Sequence, residues 1–213
     1  MSKSNAQIEI PVMLVSPAKE IGRINFPCFA QTKMDGMRGV IVKRDGRVTV
    51  FSRNGNTMTQ LDTHFEVIVE DVDNVVIDGE LTVVDENGKT CDRKTGNGIL
   101  NKTVVETVSQ EEVARVRFTA WDIIDIKQFD LGKDDTTGRA RLEKLRALKS
   151  HALFSVVETF EVANIEEAEA IFKTMLDNGE EGIILKNNDH PWEDKRSKQC
   201  VKMKEVLEQD LKI

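Results

Sequence analysis

At 213 residues, with 39% hydrophobic and 31% charged, the chain has the size and mix of one large domain or two small ones with a real core. Its net charge of −7 and pI near 5.2 exclude a domain coated in basic surface for nucleic acid, so any grip on DNA is local or lies in another domain. No apolar run is long enough to span a bilayer, no signal peptide opens the chain, and Cys28, Cys91, Cys200, His64, His151 and His190 form neither a disulfide framework nor a zinc pattern.

Residues 1–10 read as a flexible lead-in to one unit over 11–213. Gln31-Thr32-Lys33-Met34-Asp35-Gly36-Met37-Arg38 then sets a Lys-x-Asp-Gly-x-Arg element between two strand-like runs. Chance alone gives Lys-x-Asp-Gly in a chain of this length with a probability of roughly 0.05, so the weight falls on whether the other parts of such a site come in order along the chain. Val40–Lys43 and Val48–Phe51 are β-rich and joined by Arg44-Asp45-Gly46-Arg47, a hairpin signal. Leu61, Phe65, Ile68 or Val69, and Val72 recur at helical spacing, which places a helix over 60–71 against a sheet. Val75–Val84 reads as a strand interrupted by Asp78-Gly79-Glu80, and Glu86-Asn87-Gly88 turns the chain back. From 85 to 103 the chain reads as a long polar loop bearing glycines. Ser109 with Glu112 forms a capping box, and Val116–Ile124 returns to strand. Leu142, Leu145 and Leu148 mark an amphipathic helix; Asn164 with Glu167 caps another that ends at Gly179. Gly182–Lys186 and Cys200–Lys204 are the last strands. Hairpin signals outnumber βαβ spacing, so the expected class is α+β, with mainly antiparallel sheets flanked by helices.

The motif around Lys33 gathers an amine, a carboxylate and a guanidinium at one glycine turn, which suits lysine attack on phosphorus. A free lysine amine has a pKa near ~10.4, so at neutral pH nucleophilic attack starts from a deficit of about 4 kcal/mol. Neighbouring cations or a divalent metal lower that pKa, and cations also neutralise a triphosphate in its transition state. Carboxylates are needed for metal and ribose, and an aromatic face for the base. Candidates for each role lie at strand ends: Lys33 as nucleophile with Asp35 and Arg38 beside it, then Arg53, Glu80, Trp121, Glu181 and Lys186. Lys202 and Lys204 alternate on a strand and so share a face. Each has a plainer reading. Asp78-Gly79 suits a turn, Trp121 a core, and Glu181-Gly182 a helix exit. Lys202 and Lys204 suit the charges of an edge strand. Arg93, Lys94, Lys102, Lys195, Arg196 and Lys198 suit wet surface as well as phosphate contacts. Their order along one chain favours the functional set.

That ordered series resembles the nucleotidyltransferase motifs of ATP-dependent DNA ligases, a superfamily shared with RNA ligases and mRNA capping enzymes. The likeness is nearest to ligases of T-even-type bacteriophages. It is carried by Phe26-Pro27-Cys28-Phe29-Ala30-Gln31, Arg93 to Lys102, Glu181 to Lys186, Trp192-Glu193, Arg196-Ser197-Lys198, and Asp210-Leu211-Lys212-Ile213. The resemblance implies the ligase/capping-enzyme nucleotidyltransferase (ATP-grasp-like) fold. It implies an ATP-dependent DNA ligase in which Lys33 attacks ATP to form lysyl-AMP. AMP then passes to the 5′-phosphate of a DNA nick, and the 3′-hydroxyl seals it. It further implies that Arg38 and Glu80 hold ribose or nick phosphate, and that Arg53 contacts the sugar-phosphate region. Trp121 stacks on adenine. Glu181, with Glu80, holds Mg²⁺, while Lys186, Lys202 and Lys204 contact the α-phosphate. The Gln31 backbone carbonyl reads the adenine amino group. The family's OB-fold domain and N-terminal DNA-binding domain are expected to be absent from this chain and to act as its partners on nicked double-stranded DNA. The expected setting is a cytoplasmic monomer with no membrane association, in a bacterial host if phage-encoded.

Two rival readings remain open. Within the superfamily the chain could be an RNA ligase relative or a capping-type guanylyltransferase, separated by nucleotide and nick preference; an NAD⁺-dependent ligase fits less well, with nothing ahead of Lys33 to form a nicotinamide-binding region. Outside it, the chain could be a fragment that binds nucleotide or DNA but is inactive without its partner domains.

Overall fold

Period-2 alternation of apolar residues is realised here as two five-stranded sheets. The structure, a computed structural model, describes residues 8–204; residues 1–7 of the expected lead-in and the stretch Asp210-Leu211-Lys212-Ile213 lie outside the described residues. In chain order the strands are β1 (Leu14–Ser16), β2 (Cys28–Thr32), β3 (Met37–Arg44), β4 (Arg47–Ser52), β5 (Val75–Val83), β6 (Val116–Asp125), β7 (Lys133–Asp134), β8 (Phe154–Val156), β9 (Thr159–Val162), β10 (Gly182–Asn187), β11 (Trp192–Glu193) and β12 (Arg196–Lys204). The α-helices are α1 (Asp62–Phe65), α2 (Arg93–Val104), α3 (Gln110–Val113), α4 (Ile126–Asp130), α5 (Gly138–Arg146) and α6 (Ile165–Asp177).

One sheet has the order β1-β12-β10-β2-β9 and the other β4-β3-β5-β6-β8, with β11 and β7 forming a separate ribbon. Every pairing is antiparallel except β1 with β12 and β6 with β8, in keeping with the α+β expectation. The β4-to-β8 sheet buries one face, including Ile41, Ile77, Leu81 and Phe118, with Phe65, Ile68, Leu100 and Leu145 from the flanking helical segments. The other sheet buries Cys28, Ala30, Ile183, Leu185 and Val201 against Ala168 and Met175 of α6. The second face of each sheet contributes to a third cluster, in which Val40, Val42, Val76 and Ile124 meet Cys200, Phe129 and Trp192. Two to four residues further along the same strands, those faces turn charged: Arg38 follows Val40 back along β3, Asp78 and then Glu80 follow Val76, and Lys202 follows Cys200. The switch from apolar to charged on shared faces is what makes a polar cleft above an apolar floor.

Several expectations are corrected. Residues 8–10 are not loose: Ile8 N–H donates to Gly55 O at 3.2 Å, and Ile10 is buried in the third cluster. The segment expected as a helix over 60–71 is three short pieces, a 3₁₀ turn at Thr59–Leu61, α1, and a second 3₁₀ turn at Glu66–Val69. Val75–Val83 is one continuous strand; the irregularity lies across from Asp78-Gly79, in β6. Part of the expected loop over 85–103 is α2, which Asp92 caps by accepting from Thr95 N–H at 3.1 Å while Ile99, Leu100 and Thr103 bury against the sheet. The strands expected at Gly182–Lys186 and Cys200–Lys204 extend to Asn187 and back to Arg196.

Candidate active site

The turn between β2 and β3 carries Lys33. Its backbone N–H donates to Gly182 O at 2.9 Å, which aligns the end of β2 with the start of β10, and its Nζ forms an ion pair with Glu181 just ahead of β10. Gly36 is required by close approach: a Cβ there would lie 2.2 Å from Leu81 O. Its N–H donates to a Glu80 carboxylate oxygen at 3.0 Å. On β3, Arg38 stands opposite Glu80 and reaches sideways to Asp78, with Nε to Oδ1 at 2.8 Å and Nη2 to Oδ2, while Nη1 donates to Met13 O at 2.9 Å. The Arg38 guanidinium also lies 5.6 Å from the centre of the Trp121 ring.

Trp121 reaches that position through a β-bulge. Asp78 pairs with Asp122 and Gly79 with Ala120, so Trp121 is the extra residue of β6. The insertion breaks alternation, and Phe118, Ala120 and Ile123 all stay in the core beneath the sheet while Trp121 turns into the cleft.

The cleft between the sheets has a volume of about 760 Å³. Gln31, Lys33, Asp35, Arg38, Arg53, Glu80, Trp121, Glu181, Lys186 and Lys202 all line it. Lys204 does not; it is exposed at the end of β12, on the same strand face as Lys202. Asp35 shares the cleft with Lys33, but its ion pair is with Arg93 of α2, at 2.9 Å, and Glu181 is the carboxylate that holds the Lys33 amine. Among the cations outside the lysine motifs, Lys102 pairs with Glu112, Lys195 with Glu193, and Arg196 donates to Val15 O. Gln31 sits inside the sheet between Ile184 and Thr159; its Nε2 donates to Thr159 Oγ1 at 3.4 Å, while its buried Oε1 has no partner among the described residues.

Burial raises the Glu80 carboxyl to about 7, against the opposing pull of the Gly36 N–H and of Lys33 and Arg38. Lys186, almost wholly enclosed, has its ammonium pKa lowered by burial. Lys202 is lowered as well, by desolvation first and then by Lys204 and Lys33. No group of three or more His, Cys, Asp or Glu able to hold a metal occurs among the described residues. Two carboxylates, Glu80 and Glu181, placed about one amine fit Mg²⁺, which takes one or two protein carboxylates and completes its shell with phosphate oxygens and water.

The cleft also contains residues that sequence reasoning missed: Met13 just ahead of β1, Leu14 and Val15 of β1, Asn54, Asn56, Asp78, Asn101 and Val104.

Two sheets clasping a cleft of lysines, arginines and carboxylates, with an amine at its centre, are the architecture of a nucleotidyltransferase. Solved structures share it. The ATP-dependent DNA ligase from bacteriophage T7 in complex with ATP superposes with a TM-score of 0.67 at 20% identity, covering 91% of this chain and 68% of that one. The Chlorella virus DNA ligase-adenylate superposes with a TM-score of 0.66 at 18% identity, covering 92% and 69%. The family model of the ATP dependent DNA ligase domain matches residues 12–204, and the chain belongs to that family. The DNA ligases of Enterobacteria phages T6 and T4 are each 34% identical over 245 aligned positions, covering 96% of this chain and 50% of the relative. The DNA ligase of Haloferax volcanii is 33% identical over 167 positions, 76% of this chain and 28% of the relative. The chain thus spans about half the length of the phage relatives it matches. Among the described residues no helix is long and apolar enough to cross a membrane.

Proposed function

We propose that the cleft is the adenylylation site of an ATP-dependent DNA ligase and that Lys33 is its nucleophile. The observation that carries the reading is the Lys33–Glu181 ion pair, set in a cleft shared with Arg38, Glu80, Trp121, Lys186 and Lys202. Glu181 orients the amine. A bond forms from Lys33 Nζ to the α-phosphorus, the bond to pyrophosphate breaks, and the amine sheds a proton to a carboxylate or to solvent. Lys186 and Lys202, with Lys204 at the rim, neutralise the α-phosphate as charge builds on it. Trp121 stacks on adenine over the Arg38 guanidinium. In place of the backbone carbonyl expected from sequence, which lies between two paired strands, we take the buried, partnerless Gln31 Oε1 as the acceptor for the adenine amino group. Glu80 and Glu181 would hold Mg²⁺, whose charge would offset that of the phosphates.

The remaining steps belong to the same proposal. The 5′-phosphate of a nick in double-stranded DNA takes AMP from Lys33, and the 3′-hydroxyl displaces it, with Arg53 and Arg38 as the phosphate contacts. OB-fold and DNA-binding domains of a longer ligase grip the duplex, which accounts for a net charge of −7 on this chain. Intact-protein mass spectrometry after incubation with ATP and Mg²⁺, beside GTP, NAD⁺ and Lys33→Ala, tests it. An AMP adduct from ATP alone, lost in Lys33→Ala, is the expected result. An adduct that survives in Lys33→Ala would show that another residue is the nucleophile.

A further inference from the structure

Behind the cleft lies a buried charge network built by residues outside the lysine motifs. Arg141 of α5 is 1% exposed, yet its guanidinium is fully engaged. Nε donates to Asp122 Oδ1 at 2.7 Å and Nη2 to Asp122 Oδ2 at 3.1 Å. Nη2 also reaches His190 Nε2 at 3.1 Å, and Nη1 donates to His190 O at 3.3 Å and to Thr136 O. Since a guanidinium only donates, His190 Nε2 must accept, and Nδ1–H donates to Asn187 O at 2.7 Å. The ring fits because α5 begins with Gly138, where a Cβ would stand 1.9 Å from His190 Cε1.

One strand across the sheet, Asp78 stands opposite Asp122 and is held by Arg38 through both oxygens. Lys186 stands opposite Cys200 on β12 and, with burial opposing its charge, is influenced by Cys200, Asp122, Arg141 and Asp78, but it has no hydrogen bond or ion pair of its own among the described residues. With His190 neutral, three cations (Arg38, Arg141, Lys186) face the two carboxylates Asp78 and Asp122, and Glu80 across from Arg38 adds a third carboxyl whose pKa burial raises to about 7. Asp78 and Asp122 are each already forked to an arginine. Lys186 is thus the cation of this network without a carboxylate of its own, and its side chain lines the cleft beside Arg38 and Asp78.

We infer that Arg141 is a positioning residue for Lys186: by occupying Asp122 from behind, it keeps that carboxylate from folding onto Lys186 and leaves the ammonium free for an incoming α-phosphate. The inference rests on the adenylylation reading of the cleft. Arg141 itself stays outside the cleft and touches no nucleotide.

A double-mutant cycle in the full 213-residue chain tests this. Arg141→Lys keeps the charge but loses the fork, Asp122→Asn keeps the shape but loses the charge, and both are made with Lys186 intact and in a Lys186→Met background. The readouts are the single-turnover rate of AMP-adduct formation at saturating ATP, the dissociation constant of a non-hydrolysable ATP analogue, and the melting curve. With Lys186 present, Arg141→Lys is expected to slow the saturated rate by about 10- to 100-fold while changing analogue affinity far less. In the Lys186→Met background the same substitution is expected to change the rate by less than about 2-fold. Effects that multiply in full in both backgrounds would overturn the inference, as would an Arg141→Lys chain as fast as the parent. If Arg141→Lys melts below the assay temperature, Asp122→Asn decides: with no carboxylate left to fold onto Lys186, it is expected to keep the saturated rate within about 3-fold of the parent, and a slowing of about 10-fold or more would overturn the inference. If the parent forms no adduct, the adenylylation reading fails by itself; the cycle is then judged on analogue affinity, where coupling between positions 141 and 186 supports the inference and additivity overturns it.

Discussion

Gly36 donates its backbone N–H to Glu80 at 3.0 Å, and this one bond ties the turn that carries Lys33 to the strand that carries Glu80. Both partners depend on glycine, because a methyl group at position 36 would fall 2.2 Å from Leu81 O and force the turn off β5. Gly36→Ala is therefore expected to cost about 1–3 kcal/mol of stability and to slow AMP-adduct formation by at least ~100-fold, through displacement of Lys33. Urea unfolding and single-turnover kinetics measure the two effects separately. A variant that loses stability but keeps its rate would show that Lys33 is placed by β10 alone.

Trp121 enters the cleft only because β6 carries one residue more than β5 at that point. A stacking platform tolerates another flat ring, so Trp121→Phe is expected to bind ATP within about 5-fold of the parent, while Trp121→Ala loses ~1–3 kcal/mol of affinity. Titration calorimetry distinguishes the two. Equal losses in both variants would mean that the indole acts through its contact with Arg38 rather than through the base.

The strand-borne residues of the cleft were legible in sequence for a physical reason. Arg38, Glu80, Lys186 and Lys202 all lie on strands, where period 2 alone sets the facing side, and the glycine turn at Gly36 announces the tight approach beside Lys33. The helix α2 was hidden because Gly96, Gly98, Thr95 and Asn97 are poor helix formers, and its cap and buried Ile99 and Leu100 outweigh them only once the sheet is present. The bulge at Trp121 could not be read at all, since register belongs to two strands at once. Pairing between Asp35 and Arg93, and between Asp122 and Arg141, was invisible for the same reason: neither partner is near the other in sequence.

Two arginine–aspartate pairs close to the Lys33 turn differ in burial and in geometry, Arg38 gripping both Asp78 oxygens and Met13 O while Arg93 meets one Asp35 oxygen, and their energies are expected to differ accordingly. Arg93 and Asp35 have side chains 61% and 43% exposed, whereas Arg38 and Asp78 have 13% and 5%. Arg93→Ala is expected to cost less than about 1 kcal/mol. Arg38→Ala leaves Asp78 charged and enclosed, and is expected to cost ~3–5 kcal/mol. Urea denaturation of the two variants decides it, and similar costs would place the two pairs in the same dielectric surroundings.

The pH dependence of stability is set in part by His190. Burial first, and the Lys186 charge next, push its pKa from 6.5 down to about 3; Asp122 and the Asn187 carbonyl pull the other way, and Arg141 adds to the depression. The unfolded chain therefore binds a proton on this residue below about 6.5 while the folded chain refuses it until near 3. Stability contributed by the neutral ring is fully present above about pH 6.5 and is lost as pH falls toward 3. At pH ~4.5 the loss amounts to roughly 3 kcal/mol relative to neutral pH. His190→Gln cannot take up that proton, so its stability at neutral pH should be lower, from the lost ring packing, but should decline less steeply on acidification. Denaturant midpoints measured for both proteins between about pH 7 and pH 4.5 should converge. Curves that stay parallel would mean that the ring is protonated in the folded chain and that the Arg141 contact to Nε2 is not made.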